Sequence, residues 1–539
     1  MSKRPRESLA TTGLGDLGES VVHDVLRVFA AGTALLIVST IGAAAGSTCA
    51  IDDSKRLLNE PQHLAAQPSS TAPASTTTRL KTTVQEALAA AYRNNPTLQA
   101  ERAGLRGVDE GVPQALSNWR PDAEVTGDVA RSATFTSTRT ERDQIRTPRG
   151  VELSLTQPLF RGFRTVAATR EAESQVRAAR ARLTATEQEV LLDAVRAYMD
   201  VVSDLAVLEL NTSNEQVLAR QLKATRERFR VGELTRTDVK QAEARLTGAT
   251  TDRIQAEGDL EASRATYRKV IGETPENLIK PQRAFMGKAP PDKAVALKLA
   301  NDDNPGVIAA IYDERVARHN VDEVRGELLP SLELSATLSR DMESTGNKSR
   351  ADEKSIMMTL TMPLYQSGAV HSRLREAKQA VGRGRFLTDQ ARLDAVEEAT
   401  HAWEALGTAQ ARIISFSSQV KANEIALDGV RREAEVGART VLDILNAEQE
   451  LVDTEVKRVQ AQRDEVVALF ELKAAMGQLT ARHLGLPVAY CDPARHYEEV
   501  RDRWLGTRIR GEVDDAGSSP ENWSLPLPAT WSLTPPPKN

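Results

Sequence analysis

The segment VGELTRTDVKQAE, Val231 to Glu243, returns as VGARTVLDILNAE, Val436 to Glu448, and the 205-residue offset between them extends well beyond the motif. Gly272 and Gly477 are related by it, as are Pro158 of QPLFRG and Pro363 of MPLYQSG. Farther upstream, Asn95-Pro96 and Pro121 recur as Asn304-Pro305 and Pro330 at an offset of 209. The small length difference therefore falls between two strand-like runs, where a loop absorbs it. A period this long is a duplicated domain and not a solenoid of short repeats.

Within each copy the hydrophobic period changes in the same order. TVQEALAAAYRNNP and KAVALKLANDDNP read as short helices ended by Asn-Pro, and a second helical stretch runs on to Pro121 or Pro330. The period then becomes two. In PSLELSATLS, Leu332, Leu334, Ala336 and Leu338 alternate with Glu333, Ser335, Thr337 and Ser339, and GVELSLTQPLF and SIMMTLTMPLY follow the same rule. Strands are expected over about 121–137, 150–160, 330–340 and 355–365, each near the length that crosses a bilayer at a tilt. The helical period returns with Leu191, Val195, Tyr198, Val202 and Leu205, then Leu218, Leu222, Thr225 and Phe229, as in a coiled-coil seam. No proline interrupts Phe163–Phe229 or Ala369–Val436, so unbroken helices of roughly 100 Å are expected there.

Bulk composition removes several function classes. With 70 Lys+Arg against 75 Asp+Glu, a net charge of -5 gives no electrostatic case for a nucleic-acid partner. Cys49, Cys491 and seven scattered histidines supply neither a disulfide framework nor a metal-ligand spacing. There is no phosphate-cradling Gly-rich loop and no nucleophile elbow, so neither a cofactor nor a catalytic residue is expected. The uncharged run Val28 to Gly46 follows Arg27 and makes residues 1–48 a cleaved signal peptide, with a retained membrane anchor or a lipidated Cys49 as rival readings. Residues 49–80 read as a flexible linker, 81–281 and 282–486 as the two structural repeats, and 487–539 as a C-terminal extension, Pro-rich and disordered at its end.

The duplicated motif carries helix-terminus chemistry. Gly232 and Gly437 suit the left-handed residue that closes a helix, and Thr235 with Asp238, like Thr440 with Asp443, has capping-box spacing. One reading stops there: the aspartates start a helix and do nothing else.

QPLFRG and MPLYQSG as strand-to-helix boundaries, the Asn-Pro helix ends, the VGxxTxxDV turn and the two-fold repeat together resemble the TolC family of outer-membrane channel proteins over about Thr82 to Leu486. The continuation LGLPVAYCDPARHYEEVRDRW is similar to the subset associated with type I protein secretion. The resemblance implies a mixed α and β membrane protein, a homotrimer in which each chain gives four strands to a twelve-stranded β-barrel embedded in outer-membrane lipid, above a periplasmic coiled-coil tunnel. It implies a periplasmic adaptor and an inner-membrane transporter as partners, and a passive exit duct for type I secretion, drug efflux or both. Asp443 and Asn446 match two ring-forming aspartates of the periplasmic entrance, and Arg439 with Asp238 match a closed-state latch. Gly232, Thr235, Gly437 and Thr440 match the turns that meet the adaptor. Asn446 departs from the family and halves the formal ring charge, and Ala434 stands where a tyrosine is expected. The alternative is a structural coiled-coil spacer or adaptor of the envelope without channel activity.

Overall fold

The computed structural model describes residues 82–134, 144–281, 290–346 and 348–508, so the expected signal peptide, the whole of the expected linker and the end of the C-terminal extension lie outside the described residues. The first repeat runs through α1 (Val84–Asn94), α2 (Pro96–Asp109), α3 (Gly111–Ser117), β1 (Asp122–Val129), β2 (Ser132–Thr134), β3 (Gln144–Arg146), β4 (Arg149–Arg161), α4 (Arg164–Arg230) and α5 (Arg236–Ile271). The second runs through α6 (Lys293–Asp303), α7 (Pro305–Gly326), β5 (Ser331–Met342), β6 (Arg350–Thr361), α8 (Ala369–Glu435) and α9 (Val441–Ala475), and α10 (Arg495–Val500) follows. The repeats differ where a proline dictates it. Pro113 has no N–H to continue the ladder, so α2 and α3 break at Glu110, whereas the corresponding stretch of the second repeat holds one 22-residue helix.

Helices α4 and α8 are each 67 residues long, roughly 100 Å at 1.5 Å per residue. α5 packs along α4, and α9 along both α8 and α4. Beyond the ends of α5 and α9, the helices α2 and α7 continue the same columns. Asn95 caps α2 with its side-chain oxygen and donates Nδ2 to the Val270 carbonyl of α5 at 3.0 Å. Asn304 caps α7 and donates to the Ala475 carbonyl of α9 at 3.1 Å. In each splice a helix N-terminus meets a helix C-terminus, so unsatisfied N–H and C=O groups and opposed dipole ends face each other. The chain escapes sideways at Gly272 (φ 85°) and Gly477 (φ 75°).

The main core lies at this level. Leu88, Leu98, Leu191, Val195, Tyr267, Ile271, Phe470 and Leu479 are buried together. Within that cluster the buried Tyr198 hydroxyl lies 2.6 Å from the Ile279 carbonyl and 3.0 Å from the Thr82 carbonyl, which share its one proton, and it accepts from the Ile279 N–H. Part of the C-terminal extension joins the wall: the Cys491 N–H donates to the Tyr92 hydroxyl at 3.1 Å, and His496 lies 3.2 Å from the fully buried Asp109. Tyr497 of α10 packs on Val112 and Val176. Higher on the wall, Glu171 of α4 is pushed up to about 6, first by burial and then by the neighbouring Glu323 carboxylate of α7. Stability from its neutral form is present below the ordinary carboxylate value and lost as pH rises through about 6. Glu171→Gln is therefore expected to stabilise the protein at pH 8 by about 1 kcal/mol, allowing for partial exposure, and to be near neutral at pH 4.5. Melting curves at the two pH values check this.

Strands β1, β4, β5 and β6 form one antiparallel sheet in the order β1-β4-β5-β6. Its register aligns apolar residues on one face: Ala123, Leu155, Ala336 and Ile356 lie in one row, and Val125, Leu153 and Leu338 in the next. Leu334 faces Met358 and Leu332 faces Leu360. This face is uncovered, with Val125 70% and Leu360 68% exposed. The opposite face carries Asp128, Glu152, Asp341 and Glu353 among serines and threonines. Two details differ from the sequence reading. Beyond β1, β2 turns aside to pair with β3. β6 starts at Arg350, where the Arg340–Asp352 ion pair of 2.6 Å holds a charged segment in register, and it stops before Pro363, which cannot donate to the ladder.

Strand and long helix meet through the same device in both repeats. Gly162 and Phe163 take φ of 61° and 62°, and Ser367 and Gly368 take 52° and 77°. Two consecutive left-handed residues redirect the chain from sheet to helix wall.

Candidate functional site at the helical turns

The two VG turns lie side by side at the end of the helical body farthest from the sheet. Val441 and Leu445 of the second repeat pack between Leu218, Leu222, Val239, Ala242 and Ala249 of the first. Gly232 (φ 85°) and Gly437 (φ 79°) close α4 and α8, and nothing lies within 4 Å of where their side chains would be. Val231 and Val436 beside them are 71% and 80% exposed. The turns therefore offer bare backbone and small apolar groups to whatever approaches this end.

Both capping boxes are formed. The Thr235 N–H and hydroxyl donate to Asp238 Oδ2 at 2.8 and 2.7 Å, while the Asp238 N–H donates to Thr235 Oγ1. Thr440 and Asp443 repeat the arrangement at 3.0 and 2.8 Å. The Thr440 backbone and hydroxyl donors, with a smaller contribution from Arg439, hold the Asp443 carboxyl below its ordinary value. Asp443 is thus a fixed negative charge at neutral pH. Ala434 is buried against Leu427 and Ile444, so its small side chain is part of the α8–α9 seam.

The structure gives other partners to the latch residues within one chain. Arg439 pairs with Glu433 at 2.8 Å across its own turn, and Asp238 is engaged by Thr235. Among the described residues, no ion pair joins Arg439 to Asp238. In the first repeat Arg228, the counterpart of Glu433, pairs across its own turn with Glu233 at 2.9 Å, so a brace of opposite polarity is made from a neighbouring position.

Three contacts at this end were not foreseen from sequence. Arg245 of α5 donates to Asn446 Oδ1 at 2.7 Å, linking the repeats and placing a cation beside the position where the family's second aspartate is expected. Arg226 pairs with Glu243 at 2.9 Å, and Arg431 with Glu448 at the same distance. Each residue of the second pair lies 205 positions after its counterpart in the first. The repeated Glu was visible as the last letter of the motif. Its partner lies 17 residues earlier on the opposite limb, a separation that only the hairpin brings together.

Comparison with known proteins gives four findings. The model of a family described as "Outer membrane efflux protein" matches residues 87–273 and 296–478, one block in each repeat. The outer membrane efflux protein BepC of Brucella suis biovar 1 is 37% identical over 430 residues, covering 80% of this chain and 92% of BepC. The alkaline protease secretion protein AprF of Pseudomonas aeruginosa is 24% identical over 62% of this chain and 71% of its own. Among solved structures, the Campylobacter jejuni CmeC outer membrane channel shares the fold, with a TM-score of 0.66 at 15% identity over 78% of this chain and 89% of CmeC.

Proposed function

This chain belongs to the outer membrane efflux protein family, and from that premise we infer a homotrimeric outer-membrane channel whose helices form the periplasmic part of a passive exit duct. The observation that carries this reading is the four-stranded sheet, which has one exposed apolar face and, among the described residues, two unpaired edges, β1 and β6. Such a sheet is stable in a bilayer only when its edges are closed. Two copies would give eight strands, a barrel filled by its own side chains. Three give twelve, with backbone walls about 24 Å apart for strands spaced about 4.8 Å and tilted about 40°. Each chain also supplies four helical columns, two continuous and two spliced. Twelve columns at about 10 Å spacing make a ring about 38 Å across, centre to centre. The exposed Phe163 and Tyr365 at the strand–helix boundary suit the aromatic girdle of the membrane interface.

At the opposite end, three Asp443 carboxylates converge on the entrance, where a negative ring favours cations. Arg245 beside each Asn446 opposes that field, so the preference is weak. The latch operates between neighbouring copies, with Arg439 of one reaching Asp238 of the next. Energy comes from an inner-membrane transporter, and a periplasmic adaptor meets the turns around Gly232, Thr235, Gly437 and Thr440. BepC is an efflux protein by name and AprF a secretion protein, and this duct serves either drug efflux or type I protein secretion.

The test is conductance in planar lipid bilayers. The purified protein is expected to run as a trimer in mild detergent and to conduct with a weak cation preference. Asp443→Asn is expected to shift the cation-to-anion permeability ratio toward anions severalfold while single-channel current persists. Folded protein that never conducts would return the reading to an envelope spacer, and an unchanged ratio would remove Asp443 from the entrance.

A further inference from the structure

The sheet separates its charges by face. Helices join the strands at Asp122, Arg161, Ser331 and Thr361, so the hairpin ends carry the rows farthest from the helical body. On the apolar face, the last three rows toward the hairpins bring Lys354 beside Leu338, Arg340 beside Asp352, and Arg149 and Arg350 on either side of Met342. Four cationic groups thus face one carboxylate, all exposed. On the opposite face the same rows carry Asp128, Glu152, Asp341 and Glu353. A soluble sheet has no reason to sort its charges this way.

The height of the cluster gives the sorting a meaning. From Leu360 to Arg350 is ten residues, roughly 33 Å along a strand, or about 25 Å of height at a tilt of about 40°. That matches the apolar band of a membrane barrel, about 25 Å tall. Arg149 and Arg350 therefore lie at the upper edge of the hydrocarbon, and Arg340 and Lys354 lie within reach of it by extending their charged ends upward. Asp352 holds two of the guanidinium groups in place, with Arg340 Nε at 2.6 Å and Arg350 Nη2 at 2.7 Å. Among the described residues, Asp352 is the one carboxylate that pairs with either guanidinium. Planar guanidinium groups held in this way are suited to bidentate contact with phosphate.

We propose that Arg149, Arg340, Arg350 and Lys354 form an outward-facing belt that binds a lipid with clustered headgroup phosphates in the leaflet on the hairpin side. The proposal rests on the barrel reading above, because only there does the apolar face meet lipid. Continuity of the cluster with the lipid-facing surface, together with its surplus of positive charge, selects a lipid as the occupant.

The test uses the full-length protein in phosphatidylcholine vesicles with lipid A, or with lipid A stripped of its phosphates, and measures lipid retained after extraction and the melting temperature. Lipid A is expected to be retained and to raise the melting temperature, more so at low salt. Arg149→Gln with Lys354→Gln leaves the Asp352 ion pairs intact and is expected to weaken lipid A retention on the order of tenfold. Arg340→Gln and Arg350→Gln, combined with Asp352→Asn, should do the same without stranding a carboxylate. Equal retention of stripped lipid, unchanged retention by both variants, or equal stabilisation by inorganic phosphate alone would overturn the belt. Bilayer conductance of the same samples separates the two levels. Conduction with unaltered lipid binding removes only the belt, and absence of conduction in every sample removes the barrel and the belt together.

Discussion

Gly162→Val is expected to reduce the folded protein recovered from membranes to less than about a tenth of the unmodified amount, the consequence of a loss exceeding about 3 kcal/mol. Two costs combine. Gly162 sits at φ 61°, where a β-branched residue is strained by about 1–2 kcal/mol. A Cβ there would also be driven into the Gly326 carbonyl oxygen and to 2.9 Å from Leu329 Cβ. Gly326 has no room to retreat, because its own Cβ position lies 2.5 Å from Arg164 Cγ and from the Gly162 carbonyl oxygen. The two glycines let the strand-to-helix turn of one repeat touch the end of α7 in the other. Gly258→Ala in α5 is the matching control. Nothing lies within 4 Å of its added Cβ, so helix propensity alone operates and a gain of up to about 1 kcal/mol is expected. Folded yield and melting temperature of the two variants should move in opposite directions.

Arg431→Ala is expected to destabilise the tip by about 3 kcal/mol, far more than Arg226→Ala at the equivalent place in the first repeat. The Glu448 side chain is only 6% exposed and Oε1 is held by Arg431, while Oε2 has no hydrogen-bond partner. Removing the guanidinium strands a carboxylate in an apolar seam. Glu243 is 29% exposed and paired with both Arg226 and Lys240, so its loss of one partner is tolerated. Adding Glu448→Gln to Arg431→Ala should recover most of the stability. Equal effects of Arg431→Ala and Arg226→Ala on the melting temperature would show that burial does not distinguish the two braces.

The contrast between these two residues explains how much of the molecule was legible in its sequence. Periodicity is a local property, and it located the strands and the long helices because proline-free heptads and period-two runs leave little choice. The capping boxes were legible for the same reason: Thr440 and Asp443 lie three residues apart and have to meet once a helix starts there. The family resemblance read from these motifs agrees with the match to both repeats. Arg431 and Glu448, Arg245 and Asn446, and Asn95 and Val270 were not legible. Their encounters depend on the hairpin, on the contact between repeats and on the splice, and each involves residue types that serve equally well on a solvated surface. The charged start of β6 was missed because a strand held by its neighbours needs no alternation of its own. Arg385 likewise pairs with Glu314 of α7 at 3.3 Å, a residue against which Gly384 packs closely.

The Asn95 and Asn304 splices divide the wall mechanically. α4 and α8 pass the splice level without interruption and act as stiff rods, whereas the columns beside them are jointed there, each joint closed by one asparagine side chain and the packing around it. α5 and α9 hang below these joints for 36 and 35 residues, a lever of about 50 Å. A tilt of about 5° at the joint moves the free end of such a lever by roughly 4 Å without breaking a helical hydrogen bond. In the duct proposed above, a wall of alternate rods and levers would keep its bore at the membrane while its far end changes aperture.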